Sequence, residues 1–365
     1  MSQKVRAAVA IDIKRTQVQE FDLPEIAPDA GLLKVEAAGV CGSDWPKYLR
    51  PDGPRILGHE NVGILTKVGK IAAECWGFKE GDRVAVEEYL PCRHCERCWS
   101  GEYRLCDATD THLKTGYRYG STPITIPPAI WGGYSQYQYL HLNSVLHKVP
   151  PDVRATEAAL FIPLSNGIQW AMIEGGIGLG QTILIQGPGQ MGLSCVIGAR
   201  EANAGCIIVS GTSRDARRLE LARELGAHYT IDVDKEDLIK RVAEITHGQM
   251  ADVVVDVAAG GPKVVVAAVD AAKKGGKVIL AGSKGRAIPE FLSDWLIKKY
   301  LTMKGVRGHS FHAVELAIQL IASKKYPLHK FSTHQFPLAQ VDEALRTVGG
   351  EGAPDSIHVT VLPWQ

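Results

Sequence analysis

The side chains best equipped for chemistry come early in the chain. In "GVCGSDWPKYLRPDGPRILGHENVG", residues 39–63, Cys41 stands eighteen positions before the dipeptide His59-Glu60. Thiolate, imidazole and carboxylate are zinc-binding donors, and a catalytic zinc needs three protein ligands plus a position open to water or substrate. Cys41, His59 and Glu60 supply three only if the backbone turns sharply between the last two and the carboxylate swings inward. Further on, "CRHCERCWSGEYRLC" spaces Cys92, Cys95, Cys98 and Cys106 as C-x2-C-x2-C-x7-C. Four thiolates this close can wrap one tetrahedral zinc, and an all-sulfur shell leaves no position for substrate, so the lobe at about 91–107 reads as a structural site. An iron–sulfur cluster is the rival, although a second set of ligands is missing. Trp99 and Tyr103 read as packing for a thin lobe, and His94 as a solvated loop residue.

A different chemistry is written in "TILIQGPGQMG". An apolar run ends at Gly187-x-Gly189-x-x-Gly192, with Gln190 and Met191 opening the helix that follows. The first glycine makes a tight turn, the second lets backbone approach a pyrophosphate, and the third permits close helix–strand packing; the helix N-terminus offers free N–H groups to the anion. The end of the next apolar run selects the dinucleotide. An acid there accepts from both ribose hydroxyls of NAD, but "IIVSGTSRDARR" places Gly211, Thr212, Ser213 and Arg214 in that loop. Hydroxyls and a forked guanidinium suit a phosphate, so the loop favours NADP(H) over NAD(H). Asp215 comes later, in the first helical turn, where an acid also serves as an ordinary N-terminal residue.

These groups need two kinds of scaffold. Up to about residue 160, runs such as "VRAAVAI", "LLKVEAAGV", "ENVGILTKVG" and "DRVAVEEY" are short, apolar or alternating, and punctuated by Gly, Pro and Asp. That is β grammar, for a curled or barrel-like sheet. From about 182 the period changes. "TILIQG", "CIIVSG", "HYTIDV", "ADVVVDVA", "GKVILAG" and "LTMKGVRG" alternate with helical stretches, among them "GPKVVVAAVDAAKKG". Strands apolar on both faces between helices imply a parallel, doubly wound sheet. The tail "FSTHQFPLAQVDEALRTV" and "SIHVTVLP" returns to the first grammar, which would leave a cleft between two lobes.

Bulk properties narrow the partners. The chain has 365 residues, 41 basic against 40 acidic, for a formal charge of +1. No Lys/Arg run suggests a nucleic-acid footprint, and no apolar run is long enough to span a membrane. "MSQKVRAAVAID" is too short on its apolar side for a secretion signal, so the expected location is cytoplasmic. Eight cysteines in a chain this large, half of them in tight C-x-x-C repeats, suit a metal better than a disulfide framework.

Together, "GVCGSD", "GHENVG", "GDRV", the four-cysteine lobe and "GPGQMG" resemble the medium-chain zinc-dependent alcohol dehydrogenase family, on its alcohol, polyol and threonine dehydrogenase side. The resemblance runs over nearly the whole chain. It implies a GroES-like β-rich catalytic domain over 1–160, a Rossmann NAD(P)-binding domain over 161–308 and a return to the catalytic domain over 309–365. It also implies reversible hydride transfer between an alcohol and a nicotinamide, one catalytic zinc, one structural zinc, and a homo-oligomer, dimer or tetramer. Carried over by residue, Cys41 and His59 match catalytic ligands, and Glu60 the acid beside them. Ser43 matches the hydroxyl that relays a proton from the bound alcohol. Cys92, Cys95, Cys98 and Cys106 match the structural ligands, and Gly187, Gly189 and Gly192 the cofactor loop.

Two positions depart from the family's pattern. Polyol-type relatives carry a ligating glutamate before "P-L-S"; "ALFIPLSNG" has Ile162 there, which cannot bind a metal. Relatives often place a proton-carrying histidine five positions after the first cysteine; here that position is Pro46, followed by Lys47 and Tyr48. Lys47 and Tyr48 are the nearest alternative proton donors. The expected activity is an NAD(P)-dependent oxidoreductase interconverting a small organic alcohol and a carbonyl compound. Two alternatives stand beside it: a reductase of an activated C=C bond or iminium without catalytic zinc, and a non-catalytic NADP-binding protein. Among weaker candidates, Asn166 and His309 could border the cofactor. Trp45, Trp131, Phe161 and Trp295 could wall a pocket or fill core, and His141, His147, His228, His334 and His358 read as structural or surface groups.

Overall fold

The structure is a computed structural model that describes residues 3–110, 116–288 and 291–365. The chain divides into two compact units, Met1–Ile162 with Ile318–Gln365, and Pro163–Ala317. The first unit opens with β1 (Lys4–Asp12), β2 (Arg15–Asp22), β3 (Gly31–Val40) and β4 (Arg55–Ile56). It continues with β5 (Glu60–Val68), β6 (Arg83–Val86), β7 (Tyr137–Leu140) and β8 (Leu146–Lys148). The second unit holds β9 (Thr182–Gln186), β10 (Cys206–Gly211), β11 (Tyr229–Asp232), β12 (Ala251–Asp256), β13 (Ala272–Leu280) and β14 (Thr302–Gly305). After it the chain returns to the first unit with β15 (Ser332–Pro337) and β16 (His358–Leu362).

In the first unit, β3 is apolar along almost its whole length because both of its faces are covered. It lies inside a seven-stranded sheet of order β15-β16-β3-β5-β6-β8, with β7 also paired to β3. Leu33, Val35, Val40, Leu65, Val84 and Val361 are fully buried in its core. Each such side chain stabilises the fold by about 1.5–3 kcal/mol. The β3–β5 register sets the site. The strands run antiparallel with Gly39 opposite Glu60, so Cys41, just past the end of β3, comes beside His59, just before the start of β5. A Cβ on Gly39 would stand 2.3 Å from Glu60 Oε2 and 2.8 Å from His358 Nε2; only glycine lets the two side chains meet across the strand.

The second unit is a six-stranded sheet of order β11-β10-β9-β12-β13-β14 in which every pairing is parallel. This is the doubly wound arrangement, with its first strand, β9, near the middle. All six strand stretches picked out in the sequence form. One helix is shorter than its sequence suggests: "GPKVVVAAVDAAKKG" is helical over Lys263–Ala271, and β13 begins at Ala272. The Lys299 ammonium closes that helix by donating to the carbonyls of Val269, Asp270 and Ala272 at 2.9, 2.8 and 2.7 Å. Among the described residues, no helix is long and apolar enough to cross a membrane.

Candidate active site

The ladder geometry brings Cys41, His59 and Glu60 together, with one ligand atom of each within 4.8 Å of the others. His59 and Glu60 are buried. The imidazole is oriented from behind: Nδ1 lies 3.3 Å from Asp44 Oδ1, which leaves Nε2 as the nitrogen facing Ser43 Oγ at 3.4 Å. Asp44, fully buried, also accepts from the Cys41 backbone N–H (3.3 Å) and the Tyr134 hydroxyl (2.8 Å). Burial opposes its charge, yet His59 and Lys47 hold the Asp44 carboxyl below its usual range. Burial likewise works against a charged His59, but Asp44 and Glu88 raise it well above the ordinary imidazole value. The surroundings therefore favour positive charge at this point. Glu60 Oε1 is buried without a hydrogen-bond partner, a costly state for a carboxylate that a bound cation would relieve. Donor types, spacing and the orphaned oxygen all fit a zinc ion.

Not every candidate joins this group. Lys47 donates to Ser121 Oγ at 2.7 Å and to Gly120 O at 3.3 Å. Burial pushes its ammonium below the usual lysine value, opposed by Asp44 and aided by Arg118. Tyr48 is placed elsewhere: fully buried, it donates its hydroxyl to Asp342 at 2.5 Å, and burial pushes the phenol above its usual value. A phenol committed in this way is poorly suited to proton donation at Cys41 and His59. Ile162 is buried and apolar.

Three residues outside the sequence-derived set also belong to the surroundings. His358, read as a structural or surface group, is fully buried on β16 with Nε2 3.4 Å from Glu60 Oε2. Glu88, just past β6, has Oε2 3.6 Å from His59 Nε2, while its Oε1 pairs with Arg118 at 2.5 Å. Asp44 was in view inside "GVCGSD", where an acid following the cysteine loop was the available signal. Glu88 carried only a weak one, the acid pair at the end of the strand that flanks β5.

The four-cysteine lobe is assembled by a short helix, Glu96–Trp99, and a turn at Tyr103–Leu105. Its sulfurs lie at 3.9 Å (Cys92–Cys98), 3.5 Å (Cys95–Cys98) and 3.9 Å (Cys95–Cys106). Two sulfurs on one tetrahedral zinc stand ~3.8 Å apart, whereas a disulfide would bring a pair to ~2 Å. Burial pushes the Cys98 thiol up to about 12. Against its own burial, hydrogen bonds from Thr109, Cys92 and Ala108 pull Cys106 down to about 6. The backbone hydrogen bond at Cys98 likewise lowers the Cys95 thiol, and a bound cation would favour the thiolate at Cys98, so this set also fits zinc. Tyr103 packs edge-on against Tyr89 and donates to Glu87 at 2.6 Å. Trp99 does not pack: it is 77% exposed, because sulfurs and not an indole occupy the inside of the lobe.

In the second unit, Gly187 follows β9 with φ +100°, and Gly189 caps the helix Gln190–Glu201. A Cβ on Gly192 would fall 1.9 Å from Gly187 O, whereas one on Gly189 would meet nothing within 4 Å. The first is a packing requirement and the second leaves open space beside the backbone at the helix N-terminus, so the loop fits a dinucleotide. Met191 accepts a 3.8 Å contact from Asn166, whose Oδ1 is 3.2 Å from His309 Nδ1; these candidates therefore meet one another beside Gln190. Beyond Gly211, the Thr212 hydroxyl donates to Asp215 (2.8 Å) and the Ser213 hydroxyl to Asp232 (2.7 Å). Arg214 is exposed.

Comparison with known proteins decides the family. Residues 27–151 match the family described as "Alcohol dehydrogenase GroES-like domain", and residues 191–323 the one described as "Zinc-binding dehydrogenase". A Mycobacterium tuberculosis protein named "Probable alcohol dehydrogenase adh" is 37% identical over 369 residues, covering 98% of each chain. The chain belongs to the zinc-dependent medium-chain alcohol dehydrogenase family. Solved relatives include an alcohol dehydrogenase from Thermotoga maritima, with a TM-score of 0.86 and 26% identity over 99% of this chain and 100% of that one. A zinc-binding dehydrogenase from Sinorhizobium meliloti, solved with NADP bound, gives a TM-score of 0.84 and 25% identity with the same coverage. As a medium-chain dehydrogenase of the zinc type, the protein is an NAD(P)-linked oxidoreductase with a closed four-cysteine site and a separate Cys/His/Glu site.

Proposed function

We propose that the protein interconverts a small organic alcohol and its carbonyl compound by hydride exchange with NADP(H), at a zinc held by Cys41, His59 and Glu60. The observation that carries this reading is the mutual approach of those three donors, with a buried Glu60 oxygen lacking any hydrogen-bond donor. Zinc bound there would supply Lewis acidity to a substrate oxygen, and the nicotinamide would carry the hydride. The chain's own residues do the rest. Asp44 fixes the His59 ring so that Nε2 faces the site. The Ser43 hydroxyl, exposed to solvent and 3.4 Å from that nitrogen, is placed to accept a hydrogen bond from the substrate hydroxyl and relay its proton outward, passing its own Oγ proton to water. Lys47 donates to Ser121 Oγ at 2.7 Å and stands close to Asp44 and Glu88 on the same side.

Metal counting on the whole protein tests the reading. Two zinc equivalents are expected, falling to one in Cys41→Ser and to one in Cys92→Ser. A single equivalent lost only in Cys92→Ser would favour the metal-independent reduction of an activated C=C bond or iminium instead.

The preference for NADP(H) is supported by the absence of an acid at the end of β10 and by Arg214 beyond it. Because the Thr212 and Ser213 hydroxyls are engaged by carboxylates, Arg214 carries most of the preference. Arg214→Ala is expected to weaken NADPH binding about 10-fold, the scale of one charge-assisted contact, and to leave NADH unchanged; titration by nicotinamide fluorescence reads both. NADH binding tighter than NADPH in the unsubstituted protein would remove the preference altogether. A homo-oligomer and a cytoplasmic location complete the proposal. The former is supported by Leu292, Ile297 and Tyr300, exposed on the segment leading into the edge strand β14.

A further inference from the structure

The set Cys41, His59 and Glu60 sits among more negative charge than its own members supply. Asp44, Glu60 and Glu88 are all buried around one imidazole, and Cys41 adds a thiol. Lys47 and Arg118 are the cations that oppose them. Glu60 is not committed to an ion alone, since His358 Nε2 approaches its Oε2 at 3.4 Å. The position that carries an acid in polyol-type relatives is the apolar Ile162. The metal site is thus short of one committed carboxylate, while a carboxylate of no assigned role stands against its histidine.

That carboxylate is Glu88. With Nδ1 of His59 turned to Asp44, the ring presents Nε2 to a metal, and Glu88 Oε2 is 3.6 Å from this nitrogen. Two donors held ~2.0–2.2 Å from one tetrahedral zinc stand ~3.3–3.6 Å apart, so the Glu88–His59 spacing is compatible with two ligands of one ion, beside the Cys41, His59 and Glu60 donors that lie within 4.8 Å of one another. Arg118 grips the other oxygen at 2.5 Å. A ligating carboxylate is commonly hydrogen-bonded from behind by an outer partner, and Arg118 on one oxygen would hold the second oxygen of Glu88 towards the site in this way. Arg118 is itself placed by the Tyr89 ring, 4.7 Å from its guanidinium carbon.

We propose that Glu88 is a ligand of the metal bound by Cys41 and His59, supplying the acid that position 162 lacks. This rests on the zinc reading above. Cys41 and His59 would then be joined by two carboxylates, Glu88 anchored by Arg118 and Glu60 anchored by His358.

The test uses the full-length protein, zinc analysis, and cobalt(II) exchanged into the Cys41 site. Glu88→Cys is expected to gain a second thiolate-to-cobalt charge-transfer band, about doubling the near-ultraviolet intensity that Cys41 gives alone. Glu88→Gln, which can still bond Arg118, is expected to release the metal to a chelator about 10–100-fold more readily and to shift the cobalt d–d bands. If Glu88→Gln retains two equivalents with native affinity, and the cobalt spectra of both variants equal that of the unsubstituted protein, the proposal is overturned and the zinc reading survives. If the unsubstituted protein holds one equivalent, lost only in Cys92→Ser, both fall together.

Discussion

A Gly192→Ala protein is expected to lose measurable binding of both reduced nicotinamides while its zinc content stays at the unsubstituted level. The added methyl would lie 1.9 Å from the carbonyl oxygen of Gly187. Backbone on the far side of a tight turn cannot yield as a side chain can, so the β9–helix junction must open. Overpacking ordinarily costs about 1–3 kcal/mol, and this contact is closer than most. A loop displaced by that much loses the alignment of its N–H groups, and about 100-fold in affinity corresponds to roughly 2.7 kcal/mol. Gly189→Ala makes the informative contrast. Its methyl enters open space, so the fold should melt at the native temperature while nucleotide binding still falls. Fluorescence titration together with thermal melting separates the two. A Gly192→Ala protein that binds NADPH within threefold of native affinity would show that the loop does not hold the pyrophosphate.

The second large effect is expected from Asp44→Ala. This carboxylate serves three buried partners at once: the Cys41 N–H, the Tyr134 hydroxyl and the His59 ring. Removing it leaves two donors without their acceptor and the His59 ring without its facing carboxylate, and breaking a buried charge network of this type costs about 3–5 kcal/mol. A fall of about 10 °C in melting temperature follows from the usual size scaling. The His59 ring also loses the partner that fixes its orientation, so metal affinity at the Cys41 site should drop about 10–100-fold, with the four-cysteine site unaffected. Calorimetry and competition with a chromogenic chelator read the two consequences independently. Unchanged metal affinity alongside lost stability would reduce Asp44 to a packing role.

What the sequence revealed, and what it hid, follows from how local each signal is. The strands β9 to β14 were legible because most carry a compact apolar run with a helix beside it, and "GPGQMG" sits at the head of the series. The four cysteines were legible because their ligand spacing lies within one short segment. The partners of His59 and Glu60 depend instead on sheet register. His358 reaches Glu60 across 298 positions of chain, brought there by the pairing of β16 with β3. Glu88 arrives because β6 pairs with β5, which carries the end of β6 past His59. Neither pairing leaves a trace in residue spacing. The end of the Lys263–Ala271 helix was hidden for a similar reason, since Lys299, which closes it, lies in a later element.

The antiparallel match of Gly39 with Glu60 has a bearing on how the two metal centres are made. At one of them, rungs of backbone hydrogen bonding assemble the donors before any ion arrives, so the ion is a tenant in a finished room. The lobe around Cys92 and Cys106 has a four-residue helix and one turn to support itself, and there the ion is closer to a keystone. The same element would thus play two roles in one chain: bound to a prearranged set of donors at one site, and supplying much of the local support at the other.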